Sequence, residues 1–169
     1  MTVIGITDHS FTQPYILLSA HVPDDAGYFG ERLKTAHAQL LAAWKRRAAQ
    51  LDPHFPNTDI FGALQLASQI FARQPNSGRR TVVVFSDMRH NTPDLNLEAL
   101  RVVPSFTVLA SRCGPMPLLH GVDVYVLGVD GADKTSPYWR SLQEFWKNYL
   151  QNSGANLSGY TVLRTFDDF

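Results

Sequence analysis

A single cysteine, Cys113, stands in a chain of 169 residues. It has no partner for an internal disulfide, and no Cys-x-x-Cys redox pair or cysteine zinc site can be built from it. An excess of charge is also missing, because fifteen Lys and Arg offset fifteen Asp and Glu. No net field draws the molecule toward a phosphate backbone or an anionic bilayer, which argues against nucleic acid and membrane as partners. Long apolar runs are absent too. No stretch reaches the ~20 apolar residues of a membrane span, and the opening MTVIGITDHSF lacks the basic and apolar segments of a secretory signal. The chain as it stands reads as soluble. Its six histidines, His9, His21, His37, His54, His90 and His120, contain no His-Glu-x-x-His spacing, and there is no Gly-x-Ser-x-Gly elbow. Asp8, His9 and Ser10 are adjacent in the chain, whereas a working triad gathers its members from separate loops.

What is present is enough apolar material, 44% of residues, for one compact domain over residues 1–169. Thr2 to Thr7 and Tyr15 to Val22 are β-branched and apolar on either side of a turn-like run, which predicts a hairpin. After Asp24 and Asp25, offered as capping carboxylates, Phe29, Leu33, Ala36, Leu40, Trp44, Ala48 and Leu51 recur at helical spacing, with Lys34, Lys45 and Arg46 on the wet side. Pro53 and Pro56 close that helix. Asn57-Thr58-Asp59 opens another, with Ile60, Leu64, Ala67 and Phe71 as its buried stripe, ended by Pro75-Asn76-Ser77-Gly78.

Thr81 to Phe85 and Val122 to Val129 are apolar without alternation, as suits parallel strands covered on both faces by helices. Prolines at 93, 104, 115 and 117 divide the segment between them, where Ser105 to Arg112 alone resembles a short helix. Ser136 as the capping residue and Pro137 at the first helical position start a helix with the aromatic stripe Tyr138, Leu142, Phe145, Trp146 and Tyr149, stopped by Gly154, and Tyr160 to Thr165 reads as a last strand. The fold class expected is α/β: a Rossmann-like, doubly wound, mostly parallel sheet with an antiparallel edge hairpin and helices on both faces.

Ligands in open α/β sheets gather at the carboxyl ends of the strands. Phe85-Ser86-Asp87-Met88 and Asn57-Thr58-Asp59-Ile60 bring oxygen groups to that edge. Their order and spacing resemble two of the three metal-contacting loops of von Willebrand factor A domains, and the order of elements resembles that family from its second strand onward. The resemblance implies Thr58 and Asp87 as a partial Mg²⁺ site. It also implies a first strand ending in Asp-x-Ser-x-Ser, which does not precede Thr2. Asp8-His9-Ser10-Phe11-Thr12 satisfies Asp-x-Ser-x-Thr, but turn residues of the hairpin are the stronger reading. Mg²⁺ demands near-octahedral oxygen coordination, so Thr58 and Asp87 alone imply weak binding or none, and no cofactor unless the missing strand is supplied. With its slot empty, Thr2 to Thr7 is expected to pair directly with Thr81 to Phe85.

The functional expectation is an adhesion-type protein-interaction module with a degenerate metal site. It meets another protein through Asp59, Arg89 and His90, with Arg89 placed to receive an acidic group. A small Rossmann-like hydrolase or transferase at the same edge is the alternative, to be recognised by a deep apolar pocket beside Asp87 and His90. A fragment stable only as a homo-oligomer is the third.

Overall fold

The structure, a computed structural model, describes residues 1–23, 25–51, 55–73, 78–131 and 133–165. Asp24, Pro53, His54 and the run Pro75-Asn76-Ser77 therefore lie outside the described residues. The chain is α/β. An antiparallel pair, β1 (Thr2–Gly5) and β2 (Tyr15–Ser19), leads through a short 3-10 turn into α1 (Glu31–Ala48). Then come α2 (Ile60–Ala72), β3 (Arg80–Phe85), α3 (Phe106–Leu109), β4 (Val122–Leu127), α4 (Ser136–Asn152) and β5 (Asn156–Thr161). Strands β3, β4 and β5 form a parallel three-stranded sheet in that spatial order, separate from the hairpin.

The core is built almost wholly from residue 60 onward. Val122, Val124 and Val126 are buried in β4, the middle strand, while Leu142, Phe145, Trp146, Tyr149 and Leu150 bury one face of α4 against the sheet. Helix α2 adds Ile60, Phe61 and Leu64. Phe61 lies 4.9 Å from both the Trp146 and the Tyr149 ring centroids, so α2 and α4 meet through aromatic packing. The proline-divided segment contributes Leu95, Leu97, Val103, Phe106, Leu109 and Leu119. Irregular backbone is thus no sign of a peripheral segment. Cys113 is buried with them and its thiol is pushed up to about 11 by that burial, an inert group.

Four sequence expectations need correction. Strand β1 does not pair with β3; the two belong to different sheets. The apolar run of β3 is not covered on both faces, since Thr81, Val83 and Phe85 are exposed in alternation with half-buried Val82 and buried Val84. Helix α1 buries none of its residues, and Phe29, placed at the head of its stripe, is almost fully exposed at φ 55. Periodicity shows that a helix has an apolar face, not that a partner covers it. The last strand begins at Asn156, four positions before Tyr160, because Gly154 at φ 81 ends α4 and the chain enters the sheet at once.

Candidate functional site

Three segments converge where β1 and β3 end. The first is the turn after β1. Thr7 and Ser10 are its buried polar residues, and the Ser10 hydroxyl accepts from Thr7 N at 3.0 Å while Ser10 N donates to Asp59 Oδ2 at 3.1 Å. Asp59 N in turn donates to Thr7 O at 2.7 Å. The Asp8-His9-Ser10 run is therefore a turn docked on the start of α2, as the stronger of its two readings required.

The second segment is that helix start. Asp59, not Thr58, is the N-cap, with Oδ1 accepting from Gly62 N at 2.8 Å. A β-carbon on Gly62 would come within 2.0 Å of the same carboxylate, so the cap needs glycine at that position. Thr58 exchanges two backbone hydrogen bonds with Asn91, at 2.8 and 3.0 Å. With both oxygens of Asp59 engaged inside the molecule, its role is to fasten two loops to a helix. Asp59→Ala is expected to cost about 1–2 kcal/mol of stability. Asp59→Asn should keep most of it, and urea denaturation of the pair measures the difference.

The third segment is the loop after β3. Met88 sits at φ 63, in a region that side chains seldom adopt, and is fully buried. Its carbonyl accepts from Trp146 Nε1 at 2.8 Å and from His90 N at 3.0 Å, while Ser86 Oγ accepts from its amide. The left-handed turn thus re-aims the loop and is locked from both sides.

His90 follows, and it is buried. Its Nδ1 accepts from Ile60 N at 3.2 Å, so the ring proton is on Nε2, which donates to Thr92 Oγ1 at 3.1 Å. Burial lowers its pKa to about 4, and Phe61 packs on the ring at 4.3 Å between centroids. The ring that the sequence placed among partner contacts is thus a second cap of α2, turned away from solvent.

Arg89 is also committed inside the molecule, with a side chain only 13% exposed. Its Nε lies 3.5 Å from Asp87 Oδ2 and its Nη1 lies 4.0 Å from Glu98 Oε1. Nη2 donates to Asp130 O at 3.2 Å, and the guanidinium stands 4.9 Å over the Trp139 ring. Asp87 Oδ1 accepts from Arg89 N at 3.0 Å. What reaches solvent is the acidic side of this cluster, since Asp87 is 40% and Glu98 44% exposed. The sequence singled out Asp87 and Arg89 but not Glu98, which comes from a distant segment and carries no local signal.

These residues do not fit Mg²⁺. Asp87 Oδ2 already faces the Arg89 guanidinium, a fixed cation that a divalent ion would have to displace, Oδ1 accepts from Arg89 N, and Thr58 and Asp87 alone supply too few oxygens for octahedral coordination. Among the described residues no group of three or more His, Cys, Asp or Glu is arranged to hold a metal. Two shallow concavities, of about 330 and 300 Å³, lie elsewhere, one along α1 beside His21 and Arg32 and one between α4 and β5 beside Lys147 and Asn156. No family model, curated protein or solved structure matches this chain.

Proposed function

We propose that this chain is a protein-interaction module resembling the von Willebrand factor A family without its first strand, and that it meets its partner at the carboxyl edge of the sheet. The observation that carries this reading is the ion cluster on Arg89, which holds the Asp87 and Glu98 carboxylates half-exposed on a locked loop. A preorganised pair of carboxylates loses little side-chain freedom on binding a cation, and it selects a partner by charge and position without needing a cavity. Because Arg89 is already balanced by two acids, the partner group that fits is a lysine or arginine, and the acidic counterpart expected from sequence is replaced by a basic one.

The test uses hexa-arginine as probe. Immobilised protein is expected to bind it with an affinity that falls as salt rises, and the double substitution Asp87→Asn with Glu98→Gln to weaken binding roughly tenfold or more. Both substitutions keep the hydrogen-bonding shape of the loop. Binding of hexa-glutamate in place of hexa-arginine, lost in Arg89→Ala, would reverse the assignment.

A further inference from the structure

The even charge of the whole chain conceals an uneven distribution. All Lys and Arg that precede Arg73, namely Arg32, Lys34, Lys45, Arg46 and Arg47, lie in α1, against Glu31 as its only acid. Arg32 Nη1 is held by Asp25 Oδ2 at 3.0 Å, and the Arg47 guanidinium stands 5.7 Å over the Tyr15 ring, turned to the hairpin. Lys34, Lys45 and Arg46 are exposed.

The same helix shows apolar groups to solvent. Ala36, Leu40 and Ala43 are half-buried and share with Arg47 the side toward β2. Beside them, Leu33, His37, Leu41 and Trp44 follow one another at helical spacing. Leu33 and Leu41 are exposed and Trp44 is half-buried. Lys34 and Lys45 lie on the same ridge as Leu41, which gives this strip a basic border. Just ahead of the helix Tyr28 is 84% and Phe29 92% exposed. Their rings meet edge to face, 5.8 Å between centroids. Gly27, Phe29 and Gly30 have φ of 75°, 55° and 74°. Glycine adopts such values freely, but Phe29 does not, so the turn displays an aromatic ring to water on strained backbone. Strain of that kind is retained where it serves a contact, and no contact within the chain covers this ring.

We propose that Tyr28, Phe29, Leu33 and Leu41 seat the chain on an anionic lipid bilayer, with α1 lying in the plane of the surface. Among the described residues no helix is long and apolar enough to cross a membrane, so α1 lies on the bilayer and not through it. The rings and leucines enter the boundary between headgroups and acyl chains, while Lys34 and Lys45 meet the lipid phosphates and carboxylates. The chemistry of the strip selects this occupant. The concavity along α1 is lined by Arg32, Thr35 and Gln39 on the opposite flank, so the strip itself is convex and offers a protein side chain no pocket. A nucleic acid would engage the lysines and leave the leucines in water, whereas a lipid surface takes both. This surface shares no residue with the carboxylate pair, and neither proposal needs the other.

Sedimentation with vesicles of phosphatidylcholine containing about one quarter phosphatidylserine is the test. The chain is expected to bind them at low salt, and roughly tenfold more weakly to pure phosphatidylcholine or at high salt. Tyr28→Ser with Phe29→Ser should weaken binding roughly tenfold or more, and so should Lys34→Gln with Lys45→Gln, each with an unaltered far-ultraviolet spectrum. Arg46→Gln, on the far side of the helix, removes a charge outside the strip and should cost less than either lysine. Absence of binding to the phosphatidylserine vesicles overturns the proposal. So does binding to heparin that matches vesicle binding and survives Tyr28→Ser with Phe29→Ser, which would make a soluble polyanion the partner. A lipid-free dimer that the same double variant dissociates overturns it as well, by making a second copy the occupant.

Discussion

Trp146→Ala is expected to lower the unfolding free energy by about 3–5 kcal/mol, a large share of the roughly 5–15 kcal/mol that holds a domain of this size together. Trp146 is fully buried, and its ring lies 4.9 Å from Phe61 and 5.4 Å from both Phe145 and Tyr149. Its removal opens a cavity where α2, α4 and the loop after β3 meet. The same change strips Met88 O of the indole donor that helps lock its left-handed turn. Trp146→Phe separates the two effects, since it keeps most of the packing and loses the hydrogen bond, at about 1–2 kcal/mol. Urea denaturation of the three proteins measures both. A loss below about 1 kcal/mol for the alanine variant would mean that this cluster is not the centre of the core.

The second large effect is a dependence of stability on pH that belongs to His90. Burial holds its folded pKa near 4, against 6.5 for an unperturbed histidine. Between those values the unfolded chain takes up a proton that the folded chain refuses, so stability falls as pH drops from about 6.5 toward 4. Above that window the contribution is constant, and below it both states are protonated. Over the full window the loss amounts to about 3 kcal/mol. The structural cause is specific: a protonated Nδ1 cannot accept from Ile60 N, and the start of α2 loses a cap. His90→Asn should flatten this part of the profile while lowering stability at neutral pH. Denaturant midpoints of the two proteins across pH 4 to 7.5 provide the check, and parallel profiles would assign the proton uptake to another group.

How far the sequence could be read varies along the chain for a physical reason. The buried face of helix α4 was legible, because Tyr138, Leu142, Phe145, Trp146 and Tyr149 repeat at helical spacing and all are buried, but the cap is Thr135, whose hydroxyl accepts from Tyr138 N, and not Ser136, which is already helical. Helix α2, the hairpin, the short helix after Ser105 and the central strand β4 were legible on similar grounds. The burial of α1 and of the second face of β3 was not. Their apolar patterns are as clear as the others, but a pattern states only what a surface can bury. Whether something covers it depends on neighbours that are remote in sequence.

The edge where β1 and β3 end divides in the same way. Local chemistry marked Asp59 and Asp87 as loop and helix-start carboxylates and marked Arg89 and His90 as their neighbours. Composition excluded disulfides and a charged whole-molecule field, and periodicity set the order of helices and strands. Only the tertiary structure decided that His90 turns inward to cap α2, that Glu98 and Trp139 close around Arg89, and that β1 and β3 stay apart. Each of these outcomes rests on hydrogen bonds or packing between segments far apart in the chain, from Ser10 with Asp59 to Met88 with Trp146. Such partners are chosen by the geometry of the folded core, to which no single stretch of sequence has access.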